Sequence, residues 1–570
     1  MKLRFFLVQA FFGFFILALI GRLFYWQIVK SESLSTQGRS QHQSGQTIAA
    51  PRGNILASDG SFLAATSRAW LLFVQKPELT ESSRSVANKL APFLVENPED
   101  KGELLAEASR IEEIIERKDL VWVPIKRKVV PDIKNNIEAL GIRGVGFDPE
   151  EARYYPEGSA SAHLLGFVGK DESGEDRGYF GLEGYYDLSL SGKPGFIQGE
   201  SDTRGIPIIS GGSKEISAVS GVDLLTHIDK RIQLLVEEKL KVGMERYGAV
   251  EGSVIVMNPA TGAILAMASY PSYDPGKYSD FSNQYFKNPV ISNAFEPGSI
   301  FKPLVMAAGL DAGVIKPDTK CDVCDGPVKV DKYEIETWNK EYNPDSTMTD
   351  VIVHSDNVGM TFIGNKLGAD KLYDYLEKYG LGKTTGIDLQ GEASPALRKK
   401  GEWNIVDLAT ATFGQGVAVT PIQMIKAFSA IANKGRTVTP QIVREIAKEG
   451  WGDQVKPQIS GQVISEKAAL ETTAMMVAAV RDGESKWTQA RGFSVAGKTG
   501  TAQIPVAGHY DAEKTVASFV GFAPANNPKF IMLISLREPQ SSQWASETAA
   551  PLWFNIAKEL FPYLGIQPEN

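Results

Sequence analysis

The longest unbroken apolar stretch of the chain lies at its start. Met1-Lys2-Leu3-Arg4 is followed by Phe5 to Gly21, seventeen residues whose only polar side chain is Gln9. At 1.5 Å per residue, that run is near the lower limit for crossing a hydrocarbon core of about 30 Å. Arg22 follows, and the aromatic cluster Leu23-Phe24-Tyr25-Trp26 suits a membrane interface. If Arg22 snorkels outward, the span continues to about Ile28. With no small-x-small site after Ala18, the segment reads as an uncleaved anchor rather than a signal peptide. No second comparable run follows, which predicts a single-pass protein with nearly all its mass on one side. The four-residue tail Met1–Arg4 points to that side being outside the cytoplasm. From Ser31 to about Ala49 the composition turns to Ser, Gln and Gly, as expected of a polar stalk.

Beyond the stalk the periodicities are those of mixed short elements. Pro51-Arg52-Gly53 opens a region running to about Gly212, in which Glu103 to Arg117 has helical spacing. Gly205 to Ser213 reads as a junction. Asp223 to Ile228 is strand-like, and Asp229 caps an amphipathic helix that runs to Tyr247. Ser253–Asn258 and Ala263–Ala268 flank the turn Pro259-Ala-Thr-Gly262, a hairpin pattern. Val516–Phe522 and Phe530–Leu536 read as two further strands, followed by a helix from Ala549. Strands at both ends of a mostly helical middle imply an α/β domain whose sheet joins distant segments.

Composition narrows the function classes. The 570 residues are 43% hydrophobic and 22% charged with net charge −8, ordinary globular usage without a basic block, so no nucleic-acid footprint is expected. Five scattered histidines and two cysteines match no metal spacing, and no metal or cofactor is expected. Cys321 and Cys324 are compatible with a short disulfide outside the cytoplasm. Trp338 and Tyr342 are expected to serve core packing rather than a cleft, and His354 to have no catalytic role.

The chemistry starts at Glu296-Pro-Gly-Ser299-Ile-Phe-Lys302-Pro303. Pro-Gly makes a turn and the apolar run to Leu310 continues as a helix. Ser299 then sits at a helix N-terminus with Lys302 one turn on, facing the same way. A serine hydroxyl is a weak nucleophile, and a lysine serves as its base once burial and a neighbouring cation lower its pKa. Ser-x-x-Lys alone is weak evidence. Ser355-Asp-Asn357 lies 56 residues after Ser299, and Lys498-Thr499-Gly500-Thr501 begins 141 residues after Asn357. Each is weak alone, but the order and gaps form one set. The stretch Phe493-Ser-Val-Ala-Gly places Lys498 on an expected strand edge.

With this triplet the chain resembles the class B penicillin-binding proteins, monofunctional peptidoglycan D,D-transpeptidases, over nearly its whole length. The block Phe413-Gly-Gln-Gly-Val-Ala-Val-Thr-Pro-Ile-Gln423 and the run Ala517–Pro524 are also similar to that family. Arg153-Tyr-Tyr-Pro-Glu-Gly158, Gly181-Leu-Glu183 and Arg52-Gly53 resemble its non-catalytic pedestal. Ala57-Ser58 departs from the Asp-Arg pair usual there, and Ala57→Asp is expected to leave acylation almost unchanged.

The resemblance implies an α/β (α+β) transpeptidase domain, with a central antiparallel sheet and a helical subdomain, over residues 216–565. Before it stand a mixed α/β, dimerisation-type pedestal over 51–215, a stalk over 31–50 and a tail and transmembrane anchor over 1–30. It implies that Ser299 attacks the penultimate D-Ala carbonyl of a stem peptide, that Lys302 takes its proton and that Ser355 relays a proton to the leaving amine. Asn357 would hold the substrate amide and steady Lys302, while Lys498 would keep Lys302 neutral. Thr499 and Thr501 in the Lys-Thr-Gly500-Thr run would grip the substrate carboxylate, and the N–H groups of Ser299 and Thr501 would form the oxyanion hole. Penicillins would acylate Ser299. The partners implied are stem peptides, β-lactams, a SEDS-family glycosyltransferase and other cell-wall synthesis proteins. Septal synthesis is favoured over an elongation role. A D,D-carboxypeptidase, a β-lactamase-like hydrolase, an idle scaffold and a penicillin sensor remain the alternatives, although no Glu-x-x-x-Asn deacylation element is evident.

Overall fold

The computed structural model describes residues 2–34, 43–200, 214–448, 450–506 and 509–569. The predicted junction at Gly205–Ser213 and part of the predicted stalk lie outside these residues. The chain forms two compact units, residues 1–52 with 191–221, and residues 53–190 with 222–570.

In the first unit, one helix runs from Lys2 to Phe24 and continues as a wider turn over Tyr25–Val29. Lys2–Val29 is long and apolar enough to cross a membrane, and none of it is buried. Arg22 lies 5.4 Å from the Trp26 ring centroid, a cation–π contact at the end of the apolar run. Within the segment read as a polar stalk, Gln43–Ile48 is a strand. It pairs antiparallel with Gly195–Glu200, which pairs in turn with Lys214–Ile216. Backbone pairing with a segment 150 residues away overrides a composition that has little to bury.

The second unit is organised by a five-stranded antiparallel sheet. Its strands are β1 (Glu251–Met257), β2 (Ile264–Tyr270), β3 (Ala496–Val506), β4 (His509–Ala523) and β5 (Phe530–Arg537), in the order β2-β1-β5-β4-β3. Successive side chains of a strand point to opposite faces. Val254, Val256, Met532 and Ile534 pack under α1 (Lys230–Tyr247) and the C-terminal helix Ala549–Tyr563. Ile255, Met257, Ile531 and Leu533 face the other core, with Leu304 and Val305. Burial on both faces explains why these strands read as nearly continuous apolar runs. Asp229 caps α1 as predicted, accepting from the Arg231 and Ile232 N–H groups.

A second, seven-stranded mixed sheet crosses the predicted pedestal–transpeptidase boundary. Asp223–Thr226 pairs parallel with Ile55–Leu56 and antiparallel with Val443–Lys448. Beside it the pedestal motifs converge. Arg153 Nε donates to Glu183 Oε1 at 2.5 Å, and its Nη1 donates to the Gly53 carbonyl at 2.7 Å. Both charged side chains are almost fully buried. Ala57 is fully buried as well, so an aspartate at that position would put a carboxylate in the core.

Candidate active site

The nucleophile segment is a single tight turn, Gly298–Phe301, running directly into α2 (Lys302–Asp311). Every residue from Lys302 to Leu310 is buried, so this helix is enclosed all round and its lysine is fully buried. Burial and the nearby Lys498 charge lower the Lys302 pKa to about 7, although Asp356 and Glu484 oppose the shift. Lys498 is buried too, and burial likewise lowers its pKa.

The second motif is set by two helix caps. A capping box of Thr347 and Asp350 starts the helix Met348–Val353, and Asp356 caps α3 (Asn357–Leu367) by accepting from the Val358 and Gly359 N–H groups. Between the two helices Ser355 takes a left-handed backbone, φ +57°. For a non-glycine residue that conformation costs on the order of 1–3 kcal/mol, and such strain concentrates at functional sites. Lys302 Nζ donates to the Ser355 carbonyl at 2.5 Å and to its hydroxyl at 3.2 Å. Lys498 Nζ donates to the same hydroxyl at 3.0 Å. Asn357 behaves differently from expectation: its Nδ2 donates to the Glu336 carbonyl at 3.1 Å, and no hydrogen bond joins it to Lys302.

The third motif lies on β3, an edge strand as predicted, whose open side meets the nucleophile turn. A Cβ at Gly500 would stand 2.8 Å from Ile300 Cγ2 and 2.9 Å from the Ile300 nitrogen. Only glycine allows that approach. On the other flank Gly298 N–H donates to the Gly414 carbonyl at 3.0 Å. With φ +79°, Gly414 would push a Cβ to 2.3 Å from the Gly298 carbonyl oxygen. The Phe413-Gly-Gln-Gly block thus clamps the turn that carries Ser299.

The structure gathers Ser299, Ser355, Asn357, Thr499 and Thr501 around one cleft of about 100 Å³, with Gly500 against the nucleophile turn. The Thr501 hydroxyl accepts from Ala545 N–H at 3.0 Å. Sequence reasoning missed two walls of the cleft, Glu484 and Trp544, and misjudged a third. Trp338 was expected in the core but is 47% exposed and meets Trp544 with ring centroids 5.2 Å apart. Its indole N–H donates to the His354 carbonyl. Tyr342 does pack against the core. Cys321 and Cys324 are joined by a disulfide. A larger cavity of about 520 Å³, bordered by Glu251, Glu296 and Arg537, is lined by none of Ser299, Lys302, Ser355, Asn357, Lys498, Thr499 and Thr501.

A serine on a clamped turn, beside a buried lysine with a near-neutral pKa and a second buried cation, defines an acyl-transfer site of the serine–lysine class. Residues 252–561 match the penicillin binding protein transpeptidase domain, and residues 47–226 match the penicillin-binding protein dimerisation domain. Stage V sporulation protein D of Bacillus subtilis is 31% identical over 559 residues, 96% of this chain and 84% of that one. Peptidoglycan D,D-transpeptidase FtsI of Escherichia coli is 28% identical over 568 residues, 97% and 90% of the two chains. The crystal structure of penicillin binding protein 2X from Streptococcus thermophilus superposes with a TM-score of 0.73 at 25% identity, covering 92% of this chain and 81% of that one. The chain belongs to the class B penicillin-binding proteins, the serine-type D,D-transpeptidases.

Proposed function

We propose that this protein cross-links peptidoglycan stem peptides during septal wall synthesis, with Ser299 as nucleophile and Lys302 as its base. Ser299 Oγ attacks the carbonyl carbon of the penultimate D-Ala, and its proton passes to the neutral Lys302 amine. The N–H groups of Ser299 and Thr501 stabilise the oxyanion, each worth roughly 3–4 kcal/mol. Collapse breaks the peptide C–N bond. The proton on Lys302 reaches the leaving D-Ala nitrogen through Ser355, whose hydroxyl already accepts from Lys302. The amine of a neighbouring stem then attacks the acyl ester, forms the cross-link and returns a proton to Ser299. Lys498 supplies the charge that disfavours protonation of Lys302, and Thr499 and Thr501 hold the terminal carboxylate of the donor. A β-lactam enters the same path and leaves Ser299 acylated.

The observation that carries this reading is the pair of buried lysines on one serine hydroxyl, beneath a cleft that exposes Ser299. The Lys2–Val29 helix supports a single-pass anchor, and the disulfide supports a catalytic part outside the cytoplasm, where such bonds persist. The resemblance also supports a SEDS-family glycosyltransferase partner, met through the anchor and the pedestal. The septal assignment draws support from the likeness to FtsI. The direct test is intact mass of the full chain in detergent after incubation with benzylpenicillin, beside Ser299→Ala. A stable adduct on the parent alone is expected. No adduct on folded protein overturns the reading in favour of an idle scaffold, and an adduct lost within minutes overturns it in favour of a hydrolase.

A further inference from the structure

The Thr499 hydroxyl is engaged by two side chains of the protein itself. It accepts from Lys498 Nζ at 3.3 Å and donates to Glu484 Oε2 at 3.1 Å. A hydroxyl has one proton. While the bond to Glu484 stands, Thr499 has none to give to the donor carboxylate that the preceding reading, on which this inference rests, assigns to it. Glu484 is also a wall of the cleft itself, beside Ser299 and Ser355. Its charge favours the protonated forms of both Lys302 and Lys498. An anionic ligand therefore enters next to a like charge and must displace that charge from a hydroxyl it needs.

We propose that Glu484 sets the selectivity of the cleft for the charge at the ligand's carboxyl end, by competing with that carboxylate for the Thr499 hydroxyl. The competition lowers the affinity for anionic donors and β-lactams in general. It leaves the ranking to contacts elsewhere on the ligand, so that a bare carboxylate does not suffice for capture. Glu484 bonds to no reacting atom, and its effect on the charge of Lys302 applies to both kinds of ligand and cancels in a ratio of their rates.

The experiment compares acylation of the full chain in detergent by benzylpenicillin and by its neutral methyl ester, in the parent, Glu484→Gln and Glu484→Asp. Rates are read from adduct mass against time. The glutamine keeps the shape and an acceptor oxygen while removing the charge. The ratio of the anion's second-order rate constant to the ester's is expected to rise about tenfold in Glu484→Gln, as removal of one like charge at close range implies. The aspartate, which keeps the charge, is expected to hold that ratio near the parent value. A ratio in Glu484→Gln within twofold of the parent, or a rise matched by Glu484→Asp, overturns the proposal. Partial loss of folding scales both rates by the same factor and cancels in their ratio, which still reports the cleft of the folded variant. If the parent forms no adduct with either probe, the assignment of Ser299 fails first, and that result is distinct from an unchanged ratio.

Discussion

Lys302 and Lys498 place their side-chain nitrogens on a single hydroxyl, that of Ser355, at 3.2 and 3.0 Å. Two buried amines this close do not both hold a proton easily at neutral pH. The arrangement pushes Lys302 toward its neutral, proton-accepting form, and the rate of acylation inherits its titration.

Replacing Lys498 by alanine removes the cation that helps lower the Lys302 pKa to about 7. That pKa then rises, so a larger fraction of Lys302 is protonated and unable to act at neutral pH. The acid limb of the acylation profile is expected to move to higher pH, and the rate at pH 7 to fall about tenfold or more. Penicillin acylation measured from pH 5.5 to 9.5 checks this, and an unmoved limb would remove Lys498 from the coupling.

The same lysine carries a stability cost with a defined sign. The Lys302 pKa is about 7 in the fold against 10.5 for an ordinary lysine, so between these pH values the unfolded chain binds the extra proton. Stability therefore rises with pH through that window, by up to about 1.4 kcal/mol per pH unit for a single group. Lys498, also lowered, acts in the same direction. Thermal melts between pH 7 and 9 are expected to climb for the parent and to climb less for Lys302→Met. Parallel curves would show that burial of Lys302 carries no such cost.

Gly500→Ala tests the close approach of β3 to the nucleophile turn. The added methyl meets the Ile300 backbone nitrogen at 2.9 Å, so the strand must withdraw from Ser299. A displacement near 1 Å at a reacting centre costs about 10²-fold in rate. Acylation is expected to fall by that order while circular dichroism stays native. Parent-like acylation would show that the strand position is not critical.

Arg153→Ala isolates the pedestal. Removing the guanidinium from the buried Glu183 is expected to cost roughly 3–5 kcal/mol in denaturant unfolding, the usual penalty for breaking a buried ion pair. Benzylpenicillin acylation by the protein that remains folded should be unchanged. A loss of acylation without a loss of stability would give the pedestal a part in the chemistry.

What the sequence showed and what it hid follow from range. Ser299 with Lys302, the Asp229 cap and the β1–β2 hairpin rest on residues a few positions apart, where spacing alone dictates geometry. The three motifs were readable as a set, yet the bonds among them were not: Asn357 turned to Glu336 instead of Lys302. The mixed sheet was hidden because Leu224 finds Ile55 across the chain, and no local period encodes a partner. Glu484 left no trace, since one acidic residue in an Arg-Asp-Gly-Glu-Ser-Lys stretch reads as a solvated loop until Thr499 is brought beside it.

The order of strands in the catalytic sheet also governs how the protein must be made. β1 and β2 leave the ribosome early, but the strand that covers the free edge of β1 begins only at Phe530. While residues 271–529 are synthesised, Val254, Ile255 and Val256 stand in a two-stranded ribbon with an open, apolar edge. Pairing at such separation closes slowly, and the interval is when a nascent chain sticks to its neighbours. The design therefore ties the yield of active enzyme to protection of one hairpin during synthesis, well before the serine that does the chemistry has a site to occupy.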